Sequence, residues 1–457
     1  MNYDVIIIGG GPGGYKAAAI ASARGEKVLL VERDNLGGTC LNRGCIPTKC
    51  LCRSAQIALD VASAATFGIE LSGQMQVSLP VMVSRKDEVV ERLRESISMI
   101  VAAACVVTGT ARIVAPGKVE VTGISRITCG GEVVDPLPAS LVAEAPKIII
   151  ATGSEAASLD IPGASLAVTS TEMLSLRSLP VSLVVIGGGV IGLEFASVFA
   201  ALGSEVTVIE YCKEVLPQFD KDIAKRLRTV LQKRGVRFHT SSAVTSVSQG
   251  DGVIKTVAFT SKGKEQNVSA EQVLMAVGRR PVIPEGTVEA GVKVGPRGIE
   301  VDARFATSVP GIYAIGDCNG VCQLAHAAYA QARMVMGGDV DLSVIPSAVF
   351  TVPECAMVGI TEEQCRAQEI QCKVGKAFFR ANGKALAMGE DEGLVKIIVD
   401  DGGMILGCHI CGPHAADLIA EVALAMSARI PVSGLVAAIH SHPTLSEAVL
   451  QAAASVC

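Results

Sequence analysis

Tryptophan is absent from this chain, and aromatic residues make up only 3% of its 457 positions. Its cores must therefore be packed from Val, Ile, Leu and Ala. A cluster of Lys and Arg is also missing. With a formal net charge of −5, there is no basic footprint for a nucleic-acid backbone. Mean hydropathy is high, at +0.45, yet no long apolar run is unbroken. The most apolar stretch, Leu179 to Leu202, contains Gly187, Gly188, Gly189, Gly192 and Glu194. That pattern fits a buried strand, a turn and a helix better than a membrane span. At the N-terminus Asp4 and then Val5-Ile6-Ile7-Ile8 begin a strand almost at once, with no basic region, leader or cleavage pattern before it. The expectation is a soluble, cytoplasmic protein without a membrane or nucleic-acid partner. Its 15 cysteines lack the spacing of a disulfide framework, so most should be reduced and buried.

Glycine, by contrast, is abundant, with 47 residues, as suits an α/β chain of two to four domains rich in tight strand–helix turns. Two segments share one plan. Val5 to Ile8 opens into Gly9-Gly10-Gly11-Pro12-Gly13-Gly14, then a helix from Tyr15 to Arg24 and a strand from Lys27 to Val31 ending at Glu32. Leu183 to Ile186 opens into Gly187-Gly188-Gly189-Val190-Ile191-Gly192, then a helix through Glu194 to Leu202 and a strand from Glu205 to Ile209 ending at Glu210. Each carries G-x-G-x-x-G, at Gly9, Gly11 and Gly14 and at Gly187, Gly189 and Gly192, and each has an acid 23 positions after its first glycine. Such glycines permit a tight turn, close backbone approach to a pyrophosphate, and helix–strand packing, while the acid accepts from a ribose hydroxyl. Two dinucleotides are expected. Glu210 would repel a 2′-phosphate, and only Lys213 follows it as a cation in Tyr211-Cys212-Lys213, so the second nucleotide should be NAD rather than NADP.

Further along, a helix is expected over Val81 to Ala103 and β structure over Val106 to Val134. Buried strands should close at Ile148 to Gly153, Val273 to Gly278 and Ile312 to Asp317. From about Pro346 no nucleotide fingerprint recurs, which marks a third domain.

The segment richest in chemistry is Gly37-Gly38-Thr39-Cys40-Leu41-Asn42-Arg43-Gly44-Cys45-Ile46-Pro47-Thr48-Lys49. On a regular helix two cysteines five positions apart lie roughly 8 Å apart, beyond disulfide reach of about 7 Å. A bond between them needs a distorted turn, which Gly44 makes easier. Pro47 suits the first turn of the helix that follows, and a thiolate at such a start is stabilised by the helix dipole. Zinc is the competing use, but it prefers C-x₂₋₄-C with two further ligands. Two unrelated buried cysteines are the remaining alternative. Near the C-terminus, His442-Pro443-Thr444-Leu445-Ser446-Glu447 reads either as a capping box, Thr444 with Glu447, on a helix from Leu445 to Ala454, or as an imidazole base oriented by a carboxylate.

Together these motifs resemble the pyridine nucleotide–disulfide oxidoreductases, and among them the dihydrolipoamide dehydrogenases. The likeness spans nearly the whole chain. It includes both fingerprints, the cysteine segment, Ala151-Thr152-Gly153, Gly278-Arg279-Arg280-Pro281, Tyr313 to Asp317, and His442 to Glu447. It implies an α/β fold of two Rossmann-like dinucleotide-binding domains plus a C-terminal α+β dimerisation domain. The FAD-binding domain would take 1–146 and 272–343, the NAD-binding domain 147–271, and the interface domain 344–457. By this resemblance Cys40 and Cys45 form the redox disulfide, Cys40 exchanging with substrate and Cys45 lying next to the flavin. Lys49, paired with Glu194, would lie near flavin N5. His442 would be the base and Glu447 its orienter, reaching the disulfide of the other subunit of a homodimer. Gly9, Gly11, Gly14, Glu32, Thr39, Lys49, Thr152, Gly153, Asp317 and His326 would hold FAD, and Gly187, Gly189, Gly192, Glu210 and Gly278 NAD.

The activity implied is oxidation of protein-bound dihydrolipoamide with reduction of NAD. Its partners would be lipoyl domains of 2-oxoacid dehydrogenase complexes or the glycine-cleavage carrier protein. The alternatives are an NAD(P)H-dependent reductase of another disulfide, such as glutathione disulfide, and a flavoprotein kept as an assembly component. No metal site is expected, since Cys408-His409-Ile410-Cys411 reads as buried strand before Gly412-Pro413. His440 reads as structural, Cys457 as incidental, and Arg43 receives no role.

Overall fold

Residues 1–73 and 75–457 are described by the computed structural model. They fall into two discontinuous units, one of residues 1–48, 84–157 and 279–342, the other of 49–83, 158–278 and 343–457. In the first, the strand Val5–Ile8 lies between Val28–Glu32 and Lys147–Ile150, all parallel. Ile312–Ala314 and the start of Cys105–Ala115 extend this parallel sheet on either side. Alternate side chains of a strand point to opposite faces, so Ile6, Ile8, Leu29 and Val31 pack into one core and Val5, Ile7, Val28 and Leu30 into the other. A strand covered on both faces requires an unbroken apolar run rather than alternation. Each fully buried Val, Leu or Ile contributes about 1.5–3 kcal/mol, enough for a core that holds almost no aromatic rings.

The helix Pro12–Ala23 follows Val5–Ile8 and buries Gly13, Gly14, Ala17, Ala18 and Ala21. Its small residues let it pack closely against the helix Ala325–Val335. Cys105–Ala115 continues antiparallel with Lys118–Cys129, which pairs in turn with Ser140–Glu144. Cys105 and Cys129 face each other in that register and are joined by a disulfide. This pair departs from the expected reduced cysteines, because strand register brings together two thiols separated by 24 positions.

In the second unit Arg237–His239, Glu205–Ile209, Ser182–Ile186 and Gln272–Met275 form a parallel sheet in that order. The glycine-broken apolar stretch resolves into the strand Ser182–Ile186 and the helix Val190–Ala201, as expected. The C-terminal segment is a five-stranded antiparallel sheet, ordered Ser347–Val349, Glu354–Gly359, Ile405–Gly412, Leu394–Val399, Lys373–Phe378. The helices Ala415–Ser427, Val432–Ala437 and Glu447–Ala454 share its core. Cys408, His409 and Cys411 are buried within the strand Ile405–Gly412. Among the described residues no helix is long and apolar enough to cross a membrane.

One buried charge ties this sheet to the nucleotide-binding part of the same unit. Lys396, 1% exposed, bonds both oxygens of the fully buried Asp220 at 2.9 and 2.8 Å, Asp222 at 3.0 Å and Glu362 at 2.6 Å. Asp220 also caps the helix Lys221–Lys233. Burial disfavours the Lys396 ammonium, but the bonds to Asp220, Glu362 and Asp222 outweigh it and raise its pKa. Lys396 holds Glu362 below its ordinary 4.5, and against the opposing effect of burial Lys376 and Lys396 hold Asp222 below 3.8. The ammonium's contribution is present below the ordinary lysine value, and the carboxylates' above their own, so the network is complete at neutral pH. Lys396→Met should lower stability at pH 7 by about 3–5 kcal/mol, because Asp220 stays buried without its cation. The deficit should narrow as pH falls through the carboxylate range, where Asp222 and Glu362 take up protons. Thermal unfolding in a pH series checks this, and a deficit that does not change with pH contradicts it.

Candidate active site

Both glycine turns are closed by the acid that follows them. Glu32 Oε2 accepts from the Gly10 N–H at 2.7 Å and its Oε1 from the Asp34 N–H at 2.9 Å. Glu210 repeats the arrangement, accepting from Gly188 N–H at 2.5 Å and Cys212 N–H at 2.6 Å. A Cβ on Gly10 or Gly188 would press on that carboxylate. Gly9 and Gly187 hold φ of +106° and +108°, where a side chain is strained, and a Cβ on either would fall on the carbonyl oxygen of Ala151 or Ala276. Gly14 and Gly192 are needed for packing, because a Cβ there would meet the carbonyl oxygen of Gly9 or Gly187.

Gly11 and Gly189 are different. Their φ values, −71° and −79°, suit any residue. A Cβ on Gly11 would meet only the Gly38 Cα at 3.8 Å, and one on Gly189 would meet nothing within 4 Å. Neither strain nor internal packing explains these two glycines. A ligand backed closely onto the chain does, and each stands at a helix N-terminus suited to a pyrophosphate. Both turns therefore fit a dinucleotide.

The cysteine segment of the first unit departs from a regular helix where expected. Gly38–Arg43 is helical, Gly44 breaks the run at φ −143° and ψ −113°, and a new helix, Cys45–Ser63, begins at the second cysteine. A Cβ on Gly44 would lie 2.8 Å from the Thr39 carbonyl oxygen and 3.3 Å from the Cys40 Cα. Gly44 thus lets the chain fold back close to Cys40. Pro47 sits in the first turn of the second helix, Cys40 is half-buried and Cys45 exposed.

Sequence reasoning missed Arg279, next to this segment. Its Nε donates to Ser154 Oγ at 2.7 Å, and its Nη2 to the Ser154 carbonyl at 2.6 Å and to Thr39 Oγ1 at 3.4 Å. Ser154 Oγ in turn donates to Asp317. Burial lowers the Arg279 pKa, while the negative charge of Asp317 and of Cys45 works to raise it. Asp317 is thereby joined to the cysteine segment through Ser154, Arg279 and Thr39. The signal was in the Gly278 to Pro281 motif, but the partners are more than a hundred positions away. Thr152 donates to the Val282 carbonyl at 2.5 Å, and Gly153 and Gly278 hold positive φ. His326 is exposed, in the first turn of Ala325–Val335.

In the second unit Glu194, 3% exposed, is satisfied on all sides. Lys49 Nζ lies 2.9 and 3.0 Å from its oxygens, and the Phe350 N–H donates to Oε1 at 3.0 Å. The Lys49 ammonium also stands 4.4 Å from the centre of the Phe350 ring. His442 Nδ1 is 2.9 Å from Glu447 Oε1, and Glu447 Oε2 accepts from the Thr444 N–H at 2.9 Å. The bond to His442 holds the Glu447 carboxyl below its ordinary value. The expected capping box is only half made. The helix starts at Glu447 rather than Leu445, and Thr444 Oγ1 bonds Ser441 and Ser446 instead. His442 is exposed, whereas His440 is buried with its Nε2 2.8 Å from Glu421. His442 therefore has one nitrogen fixed and the other directed outward.

The glycines supply a direct test. Gly189→Ala should leave thermal stability within about 0.5 kcal/mol yet weaken NADH binding at least tenfold, about 1.4 kcal/mol. Gly192→Ala should cost stability as well, because its Cβ meets backbone. Melting curves and NADH fluorescence titrations read the two effects. Undiminished binding by the Gly189 variant contradicts the assignment.

Residues 3–332 match the family model described as pyridine nucleotide-disulphide oxidoreductase, and residues 345–453 match its dimerisation domain. The chain is 40% identical to a dihydrolipoyl dehydrogenase of Bacillus subtilis, over 98% of this chain and 97% of that one. It is also 40% identical to the leghemoglobin reductase of Glycine max, over 98% of this chain and 87% of that one. Among solved structures it resembles the HOCl-induced flavoprotein disulfide reductase RclA from Escherichia coli, with TM-score 0.85, 30% identity and full coverage of both chains. The chain belongs to the pyridine nucleotide-disulphide oxidoreductase family.

Proposed function

We propose that this enzyme oxidises the dithiol of protein-bound dihydrolipoamide to the cyclic disulfide and reduces NAD to NADH. The observation that carries the reading is the cysteine pair on either side of the Gly44 break, in a chain that also holds an outward-facing His442–Glu447 pair and two nucleotide turns. Full-length likeness to dihydrolipoyl dehydrogenases supports it. When bound, FAD and NAD supply the two-electron carriers between the thiols and the medium. Gly9, Gly11, Gly14, Glu32, Thr39, Lys49, Thr152, Gly153, Asp317 and His326 would hold the first. Gly187, Gly189, Gly192, Glu210 and Gly278 would hold the second.

The chain's own residues do the rest. His442, its Nδ1 fixed by Glu447, accepts a proton from a substrate thiol at Nε2, and the Glu447 charge stabilises the imidazolium. The substrate thiolate attacks Cys40, and the bond from Cys40 to Cys45 breaks. Its electron pair stays on Cys45, where the start of the helix Cys45–Ser63 favours negative charge. The second substrate thiol loses its proton to the medium, and its sulfur closes on the first and releases Cys40 as a thiolate. Lys49, its charge matched by Glu194, keeps a cation on the helix that carries Cys45. The imidazole serves a second copy of the chain, because the family's dimerisation domain is present and Ile439 beside His442 is wholly exposed. The lipoyl carriers, either of 2-oxoacid dehydrogenase complexes or of glycine cleavage, and a cytoplasmic setting belong to the same reading. So does the division into 1–146 with 272–343, 147–271 and 344–457. The likeness to RclA favours one second reading, a reductase of another disulfide.

Purified FAD-bearing protein should form NADH from dihydrolipoamide. A trivalent arsenical added after reduction should stop it by bridging Cys40 and Cys45. No turnover by a flavin-loaded dimer overturns the substrate. His442→Gln should slow dithiol oxidation roughly 10²–10⁴-fold while NADH oxidation by an artificial acceptor is little changed. Equal losses in the two assays would remove the role given to His442.

A further inference from the structure

The ring of His442 is 79% exposed and is held at Nδ1, by Glu447. What places it is the short segment between the helices Val432–Ala437 and Glu447–Ala454. That segment is anchored on both sides of the base. After His442, the buried Asn382 donates from Nδ2 to the Thr444 carbonyl at 3.0 Å. Before it stands His440, whose side chain is only 6% exposed. Its Nε2 lies 2.8 Å from Glu421 Oε1 and its Nδ1 lies 3.0 Å from the Ala438 carbonyl oxygen. Glu421 belongs to a different helix, Ala415–Ser427, so this bond ties the segment to an element packed on the core of the C-terminal sheet.

The chemistry of the partners sets the direction of both His440 bonds. A backbone carbonyl and a carboxylate offer lone pairs and have no proton to give. A neutral imidazole has one N–H and could satisfy one of the two. The ring makes both bonds as an imidazolium that faces the Glu421 carboxylate. A charge-assisted bond of this kind is stronger than a neutral one. His442 uses the same pair of groups differently. Its Nδ1 meets a carboxylate while its Nε2 stays open, as a base requires. His440 has both nitrogens taken, so it has no lone pair for a substrate proton.

We infer that Glu421 and His440 form an ion pair that positions the segment carrying His442, so that the outward nitrogen of His442 meets the substrate thiol. The inference rests on the base role proposed for His442. His440 and Glu421 are positioning residues and act through His442. The geometric demand is severe, because a displacement of about 1 Å in a reacting group can cost roughly 10²-fold in rate.

The test is a double-mutant cycle on the FAD-bearing dimer, read in two assays, dihydrolipoamide oxidation with NAD and NADH oxidation by an artificial acceptor. His440→Ala should lower kcat for the dithiol about 10- to 100-fold, while the acceptor reaction stays within about twofold of the parent. Glu421→Gln keeps the shape and removes the charge. It should lower the dithiol rate less, about three- to tenfold, and it decides the matter if the first variant loses flavin or dimer. In a His442→Gln background either substitution should change dithiol oxidation by less than about twofold, since no base remains to be placed. A loss of the same size in both backgrounds marks a merely structural role and overturns the inference. Parental dithiol activity in His440→Ala overturns it too. If His442→Gln alone leaves dithiol oxidation intact, the base role itself fails, and this inference fails with it.

Discussion

Both nucleotide turns depend on a carboxylate that reaches back from the end of the second strand to a glycine N–H. Glu32 closes the first turn through Gly10 and Glu210 the second through Gly188. A charge-assisted bond of this kind is stronger than a neutral one, and it fixes the backbone at the place where a pyrophosphate must lie. It also dictates composition around it. The middle glycine of each turn must lack a side chain to admit the carboxylate, the outer two to admit backbone, and the remaining one to admit ligand. In the proposed function the same acid also accepts from the ribose, so one group would set both the shape of the turn and the choice of nucleotide.

The redox segment uses a different device, a helix interrupted once. Without the break at Gly44 the two cysteines would be held too far apart to bond. With it, Cys45 becomes the first residue of a new helix and Cys40 the third of an old one. Two carboxylates, one buried and one half-buried, are each balanced. Glu194 is met by Lys49 and a backbone N–H, and Asp317 by Ser154 with Arg279 behind it. A buried carboxylate without such partners would be neutral and would lose its electrostatic use.

Much of this was legible in the sequence because its signals are local. The aliphatic runs, the fingerprint glycines, the acids 23 positions on and the cysteine segment each lie within a few tens of residues. Strands such as Glu205–Ile209 were read to the residue. What was not legible depends on partners distant in the chain. The bonds from Arg279 to Ser154 and Thr39, the cluster around Lys396 and the Cys105–Cys129 bond have no periodicity to betray them. Thr444 shows the converse failure, where a valid local motif lost to a competing bond. Its hydroxyl found Ser441 and Ser446, so the helix began at Glu447.

The central claim is that this site takes electrons from a dithiol and gives them to NAD, rather than reducing another disulfide at the expense of NADPH. The most direct measurement compares kcat/KM for dihydrolipoamide with saturating NAD against kcat/KM for glutathione disulfide with saturating NADPH, on one preparation of flavin-loaded protein. The account predicts a ratio of at least about 10³ in favour of the dithiol with NAD, within the range that differential transition-state binding supplies. A ratio near one, or one reversed in favour of the disulfide with NADPH, would contradict it.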